Sequence, residues 1–164
     1  MSTAPSTQPT PTRVGCPAPA ARIAFVGAGP GDPGLMTVRA TRILAMADVV
    51  VADEGHLQDD FVEWMRPGAE FMTVPAAQAE LTAVSRAKEL VQTTQGAVKD
   101  AAARRAEQGI TREGQVLVAR IVDGDPSIFS SLGVEASVAR KAGIEIEVVP
   151  GVSAMQAVPA YAGV

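Results

Sequence analysis

Three loop-like segments and one acid hold the residues whose types and spacing could do chemistry. Gly29-Pro30-Gly31-Asp32-Pro33-Gly34 follows a short apolar run and satisfies G-x-G-x-x-G, the pattern of dinucleotide-binding loops. Asp123-Gly124-Asp125-Pro126-Ser127-Ile128 and Pro150-Gly151-Val152-Ser153-Ala154 follow two later apolar runs. Asp53 ends the run Val49-Val50-Val51-Ala52, about twenty residues beyond the first loop, where an acid would take ribose hydroxyls.

The dinucleotide reading fails on the chemistry of its own loop. A pyrophosphate is held by backbone N–H groups and a helix N-terminus. Pro30 and Pro33 each delete an N–H, and Asp32 sets a carboxylate where a phosphate would lie. A loop stripped of donors suits a ligand without phosphates.

These segments need a scaffold, and the hydrophobic pattern supplies one. Ile23 to Gly27, Asp48 to Asp53, Glu70 to Val74, Val116 to Val122 and Ile144 to Val149 read as strands, the apolar runs among them as strands buried on both faces. Between them, helical spacing predicts Met36 to Met46, a short helix over Leu57 to Met65, Leu81 to Val91, a second piece over Ala97 to Gln108 beyond an interruption at Gly96, and Ile128 to Ala142. The alternation implies right-handed crossovers, hence an α/β fold with a five-stranded, mostly parallel sheet and helices on both faces. Ligands bind such sheets outside the carboxyl ends of the strands. All four chemical segments fall there, and the opposite loops are bland.

Bulk composition narrows the classes. The chain has 164 residues, 47% of them apolar and 20% charged, as in an ordinary globular domain. A net charge of −4 argues against a nucleic-acid partner. No apolar run reaches membrane-spanning length, so no membrane partner is expected. Cys16 is the one cysteine, which points to a reducing, cytoplasmic setting. It lies in a Pro/Thr/Ala-rich leader over residues 1–21 that has no apolar segment of a secretory signal and reads as disordered. His56 and Trp64 stand alone, as a surface imidazole and a packing indole, and there is no metal-ligand cluster.

Taken together, "VGAGPGDPGLMT", "VVVAD", "DGDPSIF" and "VVPGVSAMQAVPAYAG" resemble the tetrapyrrole (corrin/porphyrin) methylases over Arg22 to Val164. Within that family the likeness is greatest to the uroporphyrinogen-III C-methyltransferases, including the form fused to uroporphyrinogen-III synthase. The resemblance implies S-adenosylmethionine as methyl donor and a tetrapyrrole acceptor, uroporphyrinogen III converted to precorrin-2 for sirohaem and cobalamin synthesis. It implies donor contacts at Pro30, Gly124, Asp125, Ile128, Ser153 and Ala154, with Asp53 as the acid–base group. Glycine at 124 fits a close backbone approach to the ligand. Asp125 reads equally as a helix N-cap before Ile128, Ser153 as the cap of the helix after Pro150-Gly151, and Asp53 as a strand-terminal acid.

The chain departs from the family pattern in three places. Val74-Pro75-Ala76 stands where the family carries Val-Gly-Lys, so its lysine is absent. Asp123 replaces the first glycine of G-G-D. Residues 96–112, with Lys99, Arg104, Arg105 and Arg112, read as an insertion, its basic face solvated. The family continues beyond Val164 into a second domain, so the chain reads as an amino-terminal domain, and its partners could include a second copy and a fused uroporphyrinogen-III synthase. Two other functions stay open: methylation of a later corrin precursor such as precorrin-4, and a non-catalytic domain supporting a fused synthase.

Overall fold

The structure is a computed structural model, and it describes residues 21–56, 58–74, 83–107 and 115–164. The leader up to residue 20 with Cys16, Leu57, Ala76 and Arg112 lie outside the described residues. Five strands, β1 (Ala21–Gly27), β2 (Val49–Asp53), β3 (Glu70–Val74), β4 (Val116–Val122) and β5 (Glu145–Val149), form one sheet in the order β3-β2-β4-β1-β5. Every pairing is parallel. The first strand begins at Ala21, the last residue assigned to the leader, which is buried and pairs with Val116.

Alternation along each strand divides the core in two. Ile23, Phe25, Val49, Val51, Val116 and Val118 face α2 (Ala83–Glu107) and α3 (Leu132–Lys141). Ala24, Val26, Val50, Leu117, Ala119 and Ile121 face α1 (Val38–Leu44) and the turns around Phe61 and Met65. Phe25, Ile23, Leu44, Leu90 and Ile121 are fully buried; each such side chain stabilises the fold by about 1.5–3 kcal/mol.

Three helix expectations need correction. The chain does not break at Gly96: α2 runs continuously through it. Its buried face is Ala87, Leu90, Val91, Thr94, Ala97 and Ala101, whereas Val84 and Lys88 are exposed. Gly96 sits on the outer surface, and packing of that small-residue face outweighs glycine's propensity cost of about 1 kcal/mol. Around 57–65 a 3-10 turn at Gln58–Asp60 and further turns replace a helix, though Phe61 and Met65 are buried as its apolar face. α3 starts at Leu132 rather than Ile128, because Phe129 adopts φ +50° and the Ser130 hydroxyl bonds to local backbone at Pro126 and Leu132.

This order creates a switch point. The connection from β1 crosses to β2 on one side, and that from β4 crosses to β5 on the other, with α1 and α3 on opposite faces. A crevice therefore opens at the carboxyl ends of β1 and β4. There the backbones of Gly29 and Gly124 exchange two hydrogen bonds of 3.2 and 2.8 Å. Gly27 and Gly151 press in from either side. A Cβ on Gly27 would lie 2.5 Å from the Gly151 amide nitrogen, and one on Gly151 would lie 2.1 Å from the Gly124 carbonyl oxygen.

The two kinds of glycine make opposite predictions. Gly151→Ala drives a methyl group into backbone that cannot rotate away, so it should destabilise by about 1–3 kcal/mol. Gly96→Ala, with nothing within 4 Å of the added carbon, should stabilise by about 0.5–1 kcal/mol. Urea midpoints at unchanged m-value measure both.

Candidate functional site

The glycine loop is tied down at every available donor but two. The Ala28 amide donates to the Val122 carbonyl and the Gly29 amide to the Gly124 carbonyl. Pro30 and Pro33 have no N–H. Asp32 caps the 3-10 turn Pro33–Leu35 through the Gly34 amide at 2.7 Å. Only the amides of Gly31 and Asp32 remain. An anion meeting this loop would find two donors and a carboxylate.

Asp32 also has a partner distant in sequence. Its second oxygen accepts the Tyr161 hydroxyl at 2.6 Å, joining the loop to α4 (Ala154–Ala162). The Tyr161 hydroxyl and the Gly34 amide hold the Asp32 carboxyl below the usual value of 3.8. The same bond, helped by some loss of solvent and by the carboxylate's charge, holds the phenol above 10.0.

After β4, Asp125 does not cap a helix, since α3 begins seven residues later. One carboxylate oxygen accepts the amide and the hydroxyl of Ser127, and the other accepts the Gly151 amide at 3.0 Å. The acid thus clips the loop after β4 to the loop after β5. The Ser127 hydroxyl is the main cause of its lowered pKa, helped by the Ser127 and Gly151 amides against the opposing effect of burial. Gly124 has φ +66°, a left-handed conformation that requires glycine on backbone grounds. A Cβ there would meet Ser153 and Ala154 only at ordinary contact distance, from 3.7 Å. Ser153 is buried and caps α4, its oxygen accepting the Met155 amide at 3.2 Å.

These three loops surround one cleft of about 510 Å³, lined by Pro30, Gly124, Asp125, Ile128, Ser153 and Ala154, together with Asp123 and the fully exposed Phe129. All six candidate donor-contact residues are brought together. Asp53 is not among them. It sits at the same sheet edge, but its side chain turns to the face covered by α2 and α3. There Asp53 Oδ1 accepts from Arg120 at 2.6 Å and from Arg86 at 3.3 Å. Arg120 is 2% exposed; it also donates to Glu135 at 3.2 Å and to the Ile121 carbonyl at 2.8 Å. The Ser131 hydroxyl completes the network at Glu135.

Sequence reading missed this network, although its signal was present: Arg120 is a lone charge inside the apolar run Val116–Val122. It also missed the partner of His56, whose Nε2 lies 3.2 Å from Asp123 Oδ1. Among the described residues no group of His, Cys, Asp or Glu could hold a metal ion, and no helix is long and apolar enough to cross a membrane.

A family model described as Tetrapyrrole (Corrin/Porphyrin) Methylases matches residues 22–164. The chain belongs to that family. It is 34% identical over 143 residues to an S-adenosyl-L-methionine-dependent uroporphyrinogen III methyltransferase of Methanosarcina barkeri, covering 87% of the chain and 49% of that protein. It is 38% identical over 143 residues to a siroheme synthase of Photorhabdus laumondii, covering 87% of the chain and 27% of that protein. The chain therefore spans half or less of these relatives. Among solved structures, a cobalt precorrin-4 methyltransferase aligns with TM-score 0.63 at 28% identity, over 92% of this chain and 54% of the other. A Thermus thermophilus uroporphyrin-III C-methyl transferase complexed with S-adenosyl homocysteine aligns with TM-score 0.59 at 28% identity, over 84% and 48%.

Two outcomes test this geometry. Tyr161 is the one tyrosine of the chain, so its ultraviolet titration is unambiguous. Its midpoint should lie above 10.0 and fall back toward that value in Asp32→Asn. The tie itself needs ionised Asp32 and protonated Tyr161. It is lost as pH falls below the ordinary carboxylate range, and at the alkaline end only above the ordinary phenol value. Arg120→Met leaves Glu135 buried without its cation and should cost about 3–5 kcal/mol in denaturant unfolding.

Proposed function

We propose that the chain provides the donor-binding wall of an S-adenosylmethionine-dependent C-methyltransferase acting on uroporphyrinogen III. The observation that carries this reading is the convergence of Pro30, Gly124, Asp125, Ile128, Ser153 and Ala154 on one cleft at the switch point of the sheet. The donor set fits the ligand. The loop has little to offer a phosphate, and the cleft is walled by small and apolar residues with two carboxylates, Asp123 and Asp125. A cationic, phosphate-free molecule of nucleoside size suits such a wall.

When bound, S-adenosylmethionine supplies an electrophilic methyl group on a positively charged sulfur. The protein's part is orientation: Asp125 fixes two of the three loops relative to each other, and the Gly29–Gly124 bridge fixes the third. The Asp53 carboxylate, held by two guanidinium groups, is a proposed acid–base or positioning group at the same edge. The match to the Methanosarcina barkeri enzyme supports uroporphyrinogen III as acceptor. The alignment to the precorrin-4 methyltransferase supports a second reading, a later corrin precursor.

Ala154→Trp tests the cleft without backbone strain, because residue 154 opens α4 with ordinary helical geometry and is exposed. The indole should weaken S-adenosylhomocysteine binding by about a hundredfold, roughly 2.7 kcal/mol in calorimetry, at unchanged melting temperature. Wild-type affinity in the folded variant removes the cleft from the donor site. Labelled donor offered with uroporphyrinogen III or with precorrin-4 then separates the two acceptors.

A further inference from the structure

We propose that His56 and Asp123 are the proton-accepting pair of this site; the inference rests on the methyl-transfer reading above. A second cleft of about 300 Å³ adjoins the first, walled by Met36, Phe61 and Trp64 and edged by Asp60, His56 and Asp123. Gly29, Gly31 and Asp123 line both clefts. Asp123 thus stands at their junction, where an acceptor lying in the second cleft meets a methyl group presented from the first.

The imidazole is fixed on several sides. Its Nε2 faces Asp123 Oδ1 at 3.2 Å, its ring packs against Phe61 at a centroid distance of 5.8 Å, and its backbone amide donates to the Asp53 carbonyl at 3.3 Å. The His56 side chain keeps 28% of its surface exposed, so the group is reachable. With the Nε2 proton directed at the carboxylate, the neutral ring carries its lone pair on Nδ1. Asp123 then has the role of an orienting acid that holds the ring. Asp53 differs in placement rather than exposure: it lines neither cleft, and both arginines occupy its Oδ1.

A π pair of the acceptor's pyrrole carbon forms the new carbon–carbon bond to the methyl group, and the carbon–sulfur bond breaks with its pair going to sulfur. The acceptor ring becomes cationic and the donor leaves as a neutral thioether. A pyrrolic N–H proton passes to His56 Nδ1, restoring a neutral ring, and leaves later to water. A general base of this kind contributes about 10²–10⁴-fold in rate.

The test uses the full-length protein with whichever acceptor the wild type methylates. His56→Ala should slow single-turnover methyl transfer about 10²-fold or more, with S-adenosylhomocysteine affinity within about twofold of wild type. Added imidazole should restore part of the rate. Asp123→Asn should slow transfer less, and imidazole should not restore it. Unchanged turnover in His56→Ala overturns the proposal, and so does a loss that imidazole leaves unrestored. Failure of the wild type to bind S-adenosylhomocysteine instead removes the methylase reading, and this pair with it.

Discussion

Everything at the carboxyl edge of the sheet depends on how closely three backbones approach one another. Gly27, Gly124 and Gly151 come from the ends or the following loops of three adjacent strands, and no Cβ fits between Gly27 and Gly151. Because the contact is backbone to backbone, it can be made only with glycine at those two positions. The contact sets the mutual placement of the loops after β1, β4 and β5. The Gly29–Gly124 hydrogen bonds and the Asp125–Gly151 bond then lock it. The cleft is the space left above a closed glycine floor.

The two faces of the sheet differ in what they hold. On the α2 and α3 face, Arg120 is buried with Glu135 and reaches the half-buried Asp53, each of its three nitrogens donating to a partner. Such a network is costly to break from one side and adds little compared with apolar packing. Its effect is to fix the end of β2 against β4. The opposite face, beside Phe61 and Trp64, leaves His56 and Asp123 open to the clefts. Asp53 and His56, only three residues apart, thus face opposite sides of the sheet.

Much of this was legible in the residues. The pattern placed all five strands to within one or two residues; for β1, β2 and β4, burial on both faces leaves few alternatives. The loop chemistry was legible too: two missing N–H groups and an inserted acid argue against phosphate, and the amides of Ala28 and Gly29 are already bonded across to β4 and its loop. What could not be read was anything set by tertiary partners. Gly96 looked like a helix break because propensity is local, while the packed face of Ala87, Leu90, Val91, Thr94, Ala97 and Ala101 is not. Asp125 looked like a cap because its partner Gly151 is distant in sequence. Likewise His56 looked like an isolated residue until the fold brought it to Asp123. Gly124 carried the right residue for a reason that only its φ reveals.

The central claim is that the three loops form one donor-binding wall. Amide hydrogen exchange of the protein with and without S-adenosylhomocysteine tests it most directly. Slowed exchange is expected at residues 28–35, 123–131 and 151–156 together, with residues 45–48 and 66–70 at the opposite sheet edge unchanged. Protection confined to the opposite edge, or to one of the three loops alone, would contradict it.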